Sequence, residues 1–142
     1  MSRSILVPYD GSAHAQTALA YAFEMFPDAR LVLFHAIDPF EKTTESDDRL
    51  PPLTEEWREE REAEAAALFE EAVSEVDDQS VTIETDTSVG SPAQAILGYA
   101  EDADIDAIVI GSRGRSQNPD MRLGSVAELV VRRADVPVTV VR

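Results

Sequence analysis

Arg3-Ser4-Ile5-Leu6-Val7-Pro8-Tyr9-Asp10-Gly11-Ser12 carries the chain from a short apolar run, through a turn, to a hydroxyl residue suited to start a helix. Residues 3–8 read as a short buried strand, Asp10-Gly11-Ser12 as the turn, and Ser12 as the helix N-cap. Beyond it Ala15, Ala18, Leu19, Ala22, Phe23 and Phe26 recur at spacings of three and four, which makes one face of an amphipathic helix. Pro27-Asp28 stops that helix.

The same strand-then-helix phrase recurs along the chain. Residues 30–37 are apolar almost throughout, as in a strand buried on both faces. Residues 41–53 are polar, contain Pro51-Pro52, and read as a surface loop. A long helix is expected from Thr54 to Val76, with a core stripe of Ala65, Leu68, Phe69, Ala72, Val73 and Val76, preceded by Trp57. Val81 and Ile83 alternate with Thr82 and Glu84, the pattern of a half-exposed edge strand. Ser91-Pro92 is an N-cap followed by proline in the first helical position, and that helix runs to Glu101 with Ala93, Ile96, Leu97 and Ala100 inward. Residues 106–110 form a buried strand, Gly111-Ser112-Arg113-Gly114 a tight turn, and Gly124-Ser125 the start of a helix with Val126, Leu129 and Val130 inward. Residues 136–141 are the last strand. Strands alternating with helices predict a parallel sheet covered on both faces, here one three-layer α/β domain over residues 1–142.

Composition narrows the function classes. The chain has 142 residues, 28 acids, 12 bases and a net charge of −16, and every base except Lys42 is Arg. Such a balance argues against duplex nucleic acid and anionic membranes as partners. An acidic, lysine-poor exterior suits work in high salt, where screening removes self-repulsion; unfolding in low salt against molar KCl tests that expectation. No apolar run is long enough to span a membrane, and the first residues lack a secretory apolar region, so a cytoplasmic location is expected. With no cysteine and two isolated histidines, a zinc site is not expected. Residues 111–142 hold Arg113, Arg115, Arg122, Arg132, Arg133 and Arg142 against three acids, so an anionic ligand would go there.

In such a sheet, ligands sit outside the carboxyl ends of the strands where strand order reverses. Two stretches there carry chemistry. In Gly111-x2-Gly114-x9-Gly124-Ser125, glycines permit close approach to main-chain N–H groups, and a helix N-terminus suits phosphate. Ser125 can cap the helix and donate to a phosphate oxygen. The plainer alternative is that the glycines serve turns and a cap. Asp10, after Pro8-Tyr9, can accept hydrogen bonds from a ribose or base, or serve only the turn. Arg113, between two glycines, can reach a phosphate. His14 lies off the apolar stripe and is expected exposed; His35 is expected to be a hydrogen-bonded structural residue. A P-loop is absent, and no lysine follows Lys42 to make a signalling receiver domain.

The Pro8-x-Asp10-Gly11-Ser12 opening, His35-Ala36-Ile37-Asp38, Val89-Gly90-x-Pro92, Gly111-Ser-Arg-Gly-Arg-Ser, Gly124-Ser-Val-Ala-Glu and the Val-Pro-Val-Thr-Val-Val-Arg ending together resemble the universal stress protein family, over the whole chain. The glycine signature resembles its ATP-binding branch. The resemblance implies a Rossmann-like, adenine nucleotide alpha hydrolase-like fold, with a five-stranded parallel sheet of order 3-2-1-4-5. It implies ATP at the strand ends, with Mg²⁺ or Mn²⁺. By motif, Pro8 and Asp10 would lie against the nucleoside, the main chain at Ala36 against adenine, and Ile110 and Gly111 against ribose. Gly114, Gly124, Ser125 and Val126 would surround the phosphates. It also implies a homodimer through residues 136–141. The loop 115–123 departs from the family in carrying Pro119 and Asp120.

The expected function is an ATP-binding, nucleotide-dependent regulatory protein of a stress response, with no residue assigned a catalytic role. The alternatives are a slow ATPase or phosphotransferase, and a nucleotide-free dimeric adaptor.

Overall fold

The computed structural model describes residues 3–40, 53–76, 82–113 and 123–142. The order is β1 (Ser4–Pro8), α1 (Ala13–Met25), β2 (Arg30–Ile37), α2 (Glu55–Ser74), β3 (Thr82–Val89), α3 (Pro92–Asp102), β4 (Ala107–Gly111), α4 (Ser125–Arg133) and β5 (Val138–Val141). The expected loop residues 41–52 lie outside the described residues.

The strands form one parallel sheet in the order β3-β2-β1-β4-β5. This is the 3-2-1-4-5 order that the resemblance implies. β1 lies at the centre, and its side chains alternate between two faces because a strand has a period of two. Ile5 and Val7 enter the core made with Ala15, Ala18, Leu19 and Ala22 of α1 and Ala65, Phe69 and Ala72 of α2. Leu6 points the other way, into Ala93, Ile96 and Ala100 of α3 and Ala127 and Val130 of α4. Alanine dominates the inward helix faces, so helices can lie close against a sheet whose own residues are Ile, Leu and Val.

Three elements differ from the sequence pattern. The expected 81–84 strand is β3, which pairs with β2 from Arg30↔Thr82 to Ile37↔Val89. Its Thr85-Asp86-Thr87-Ser88 stretch carries no apolar signal because an edge strand with mostly exposed side chains needs none. On α2 the buried stripe is Trp57, Ala65, Phe69 and Ala72, and Val73 is exposed. On α4, Ala127 and Val130 are buried while Leu129 is exposed, so the helix is rotated from the face its larger residues suggested.

Two phenols are held in their neutral form. Burial pushes the Tyr9 hydroxyl above its usual value of 10.0, helped by the charges of Glu75, Glu71 and Asp10. Burial also raises Tyr99, which is hydrogen-bonded to Asp86. A raised native value means the native state keeps protons that the unfolded state has lost. Stability from these groups is therefore full below about pH 10 and falls as pH rises through the native values. Denaturant midpoints measured from about pH 8 to pH 11 should be flat and then drop. Tyr9→Phe should flatten part of the drop; a wild-type midpoint unchanged through the alkaline range would contradict this account.

Candidate functional site

A cavity of about 360 Å³ opens at the carboxyl ends of β1, β2 and β4, where strand order reverses between β1 and β4. That lies within the ~300–1,000 Å³ of small-molecule sites. From β1 it is lined by Pro8, Tyr9 and Asp10, and from β2 by Phe34, His35, Ala36 and the following Asp38. β4 contributes Ile110 and Gly111, followed by Arg113. The start of α4 contributes Gly124, Ser125 and Val126. Pro92 and Ile96 of α3 form part of the wall. Gly114 lies outside the described residues, as do Arg115, Pro119 and Asp120.

Each strand end is held by specific bonds. Past β1, the Tyr9 N–H donates to the Phe34 carbonyl at 2.7 Å. His35 Nδ1 lies 2.9 Å from the Tyr9 carbonyl oxygen, which makes His35 the hydrogen-bonded structural residue expected. Asp10 Oδ1 accepts from the Ser12 N–H at 2.9 Å, and Ser12 Oγ accepts from the Ala15 N–H at 3.1 Å, capping α1. Gly11 between them has φ +81°, and a Cβ there would stand 2.9 Å from Leu68 Cδ2. The positive φ is what calls for glycine at this turn, since the Leu68 side-chain tip can move aside.

The α4 end differs from expectation in a useful way. Its N-cap is Gly124, with no side-chain cap hydrogen bond, and Ser125 is the first helical residue. Ser125 therefore does not cap the helix. The first intrahelical bond runs from the Glu128 N–H to the Gly124 carbonyl at 2.9 Å. The N–H groups of Ser125, Val126 and Ala127 have no acceptor within the helix. These donors, the positive end of the helix dipole and the Arg113 guanidinium make one end of the cavity favourable to anions. Asp10 and Asp38 make another part rich in hydrogen-bond acceptors. Asp38 was given no site role from the sequence, although it follows β2 as Asp10 follows β1 and closes the His35-Ala36-Ile37-Asp38 motif.

Gly111 lines the cavity and also meets a packing demand that its spacing did not reveal. It is the last residue of β4, in register with Val141. A Cβ on it would meet the backbone C and O of His14, each at 2.8 Å. It is glycine so that α1 can approach the strand. His14, expected exposed, is half-buried at that contact, with Nδ1 3.4 Å from Ser112 Oγ.

Among the described residues, no cluster of three or more His, Cys, Asp or Glu could hold a metal ion. No described helix is long and apolar enough to cross a membrane.

The sheet order and the position of the cavity define a Rossmann-like α/β protein with a ligand-sized crevice at the point of strand reversal. The chain belongs to the universal stress protein family, whose model matches residues 1–142. It is 31% identical over 157 residues to the universal stress protein MJ0577 of Methanocaldococcus jannaschii, covering 100% of this chain and 96% of that protein. The solved structure of MJ0577 superimposes with a TM-score of 0.80 at 30% identity, covering 99% of this chain and 96% of that one. YxiE of Bacillus subtilis, also a universal stress protein, is 32% identical over 148 residues, with 100% of both chains covered. A universal stress protein crystallised in complex with cAMP has a TM-score of 0.70 at 27% identity, covering 99% of this chain and 97% of that one.

Proposed function

We propose that this chain is an ATP-binding universal stress protein, a one-domain regulator whose conformation or choice of partner follows nucleotide occupancy. The observation that carries the reading is the α4 N-terminus, which has no side-chain cap hydrogen bond among the described residues and lines the same cavity as Asp10 and Ala36. Pro8 and Asp10 receive the nucleoside, the main chain at Ala36 meets adenine, and Ile110 and Gly111 flank the ribose. Ser125 and Val126 direct N–H groups to the phosphates, Gly124 adjoins them without a side chain, and Arg113 adds positive charge. The cAMP complex of a relative supports an adenine nucleotide as the ligand class. Mg²⁺ or Mn²⁺ would ride on the phosphates, because the described residues offer no three-ligand cluster of their own. The reading includes a cytoplasmic homodimer paired through residues 136–141, where the side chains of β5 are only partly covered.

Thermal unfolding with and without MgATP tests this. A ligand at about 100 times its dissociation constant stabilises the native state by ~2.7 kcal/mol, which raises Tm by roughly 5–10 °C in a domain of this size. Gly124→Asp places a carboxylate over the α4 N–H groups and against the phosphates. It should abolish the ATP shift while leaving the ligand-free Tm equal or higher. A wild-type Tm unmoved by millimolar MgATP would overturn the reading.

A further inference from the structure

Ser112 is the buried polar side chain of the described core, 1% exposed. Its polar groups reach three different elements. Its N–H donates to the Val141 carbonyl of β5 at 2.7 Å, and its carbonyl accepts from the Gly124 N–H, the α4 N-cap, also at 2.7 Å. Its Oγ lies 3.4 Å from His14 Nδ1 on α1. Depending on the ring tautomer, the hydroxyl donates to a bare Nδ1 or accepts from a protonated one. The burial of Ser112 rules it out as a nucleophile toward anything in the cavity. Its chain neighbour Arg113 lines that cavity, so Ser112 acts on the site through Arg113 and through Gly124, whereas Gly111 is fixed by its place in β4.

We propose that His14 and Ser112 form a positioning pair that aims the N-terminus of α4 at the anion end of the cavity. The pair thereby strengthens binding of phosphate-bearing ligands without strengthening binding of the bare nucleoside. This ligand clause rests on the nucleotide reading above. The physical reason is directional. Attraction between an anion and a helix end fades within one turn, so it depends on where the first N–H groups point. That direction is set where Gly124 bonds to Ser112. His14 can hold Ser112 from the far side because the missing side chain of Gly111 lets α1 approach β4 there. Asp10 and Ala36 belong to the ends of β1 and β2, which Ser112 does not bond.

The test uses the whole protein and the variants His14→Ala, His14→Asn and Ser112→Ala. Calorimetry compares MgATP with adenosine, and hydrogen exchange follows the Gly124 amide without ligand. His14→Ala and Ser112→Ala should weaken MgATP about tenfold, the loss expected for one hydrogen bond that serves a charged ligand. Adenosine affinity should stay within about twofold. His14→Asn, which returns a polar atom near the Nδ1 position, should restore MgATP affinity. Exchange protection of Gly124 should fall in His14→Ala and recover in His14→Asn. Equal weakening of both ligands overturns the proposal, as does a His14→Ala variant with unchanged MgATP affinity and Gly124 protection. If the wild type binds neither ligand, the nucleotide reading falls by itself. The exchange arm then decides the pairing: retained Gly124 protection in His14→Ala overturns it, and lost protection that Asn restores upholds it.

Discussion

Gly111→Ala should destabilise the protein by about 3 kcal/mol, the upper part of the range for forcing a methyl into a packed interior. The new Cβ would stand 2.8 Å from both the backbone C and O of His14 and 2.9 Å from its Cβ. Main-chain atoms of a helix cannot swing aside as a side-chain tip can, so α1 as a whole must shift away from β4. The inner face of α1 carries Ala15, Ala18, Leu19 and Ala22, all buried, so a shift there opens the core. Gly98 is the matched control. It lies within α3, and a Cβ there meets nothing within 4 Å. Gly98→Ala should therefore stabilise by roughly 0.5–1 kcal/mol, the ordinary gain of alanine over glycine inside a helix. Urea denaturation of both variants measures the contrast. A Gly111→Ala variant as stable as the wild type would show that α1 gives way freely.

Phe34→Ala should cost a further large amount by a different route. Phe34 is 1% exposed within β2, where it packs on the Tyr99 ring with centroids 4.7 Å apart and planes at 32°. Removing a buried phenylalanine ring costs about 3–5 kcal/mol, from lost transfer energy and the cavity left behind. Phe34 also lines the candidate site, so its void joins the crevice and water can enter. The loss should therefore fall near the lower end of that range. The same deletion takes away part of the wall beside Ala36, so adenosine affinity should drop together with stability. Phe34→Leu keeps most of the apolar volume and should cost about 1 kcal/mol. Denaturation and adenosine titration of the two variants separate ring loss from general softening. Equal stability of Phe34→Ala and the wild type would mean that the ring carries little of the packing between β2 and α3.

Much of the architecture was legible along the chain because it repeats at short range. The apolar runs at residues 5–7 and 31–34 announce buried strands. Ala15, Ala18, Leu19 and Ala22 announce a helix by spacing, and all four are buried. Ser12 was recognisable as a cap, and its hydroxyl does accept from Ala15. The strand order came from the motif resemblance rather than from periodicity, since periodicity says which residues are buried and not which strands are neighbours. Where the pattern misled, exposure or small side chains were the reason. β3 is long although its second half is polar, because it lies at the edge. α4 turns Ala127 inward and Leu129 outward, because the space beside α3 is taken by the smaller residue.

The sequence alone determined the alternation of strands and helices, the acidic balance, the turn at Asp10-Gly11-Ser12 and the family to which the chain belongs. These are local or compositional properties, written in neighbouring residues or in counts. Only the tertiary structure decided that Gly124 rather than Ser125 caps α4, that Asp38 joins Asp10 at the cavity, and that Gly111 is small for the sake of α1. It alone put His14 beside Ser112, 98 positions further along the chain. Contacts across that separation leave no period in the sequence. They arise when a parallel sheet brings distant strand ends to one edge, and the shape of the packed core then selects which residues meet.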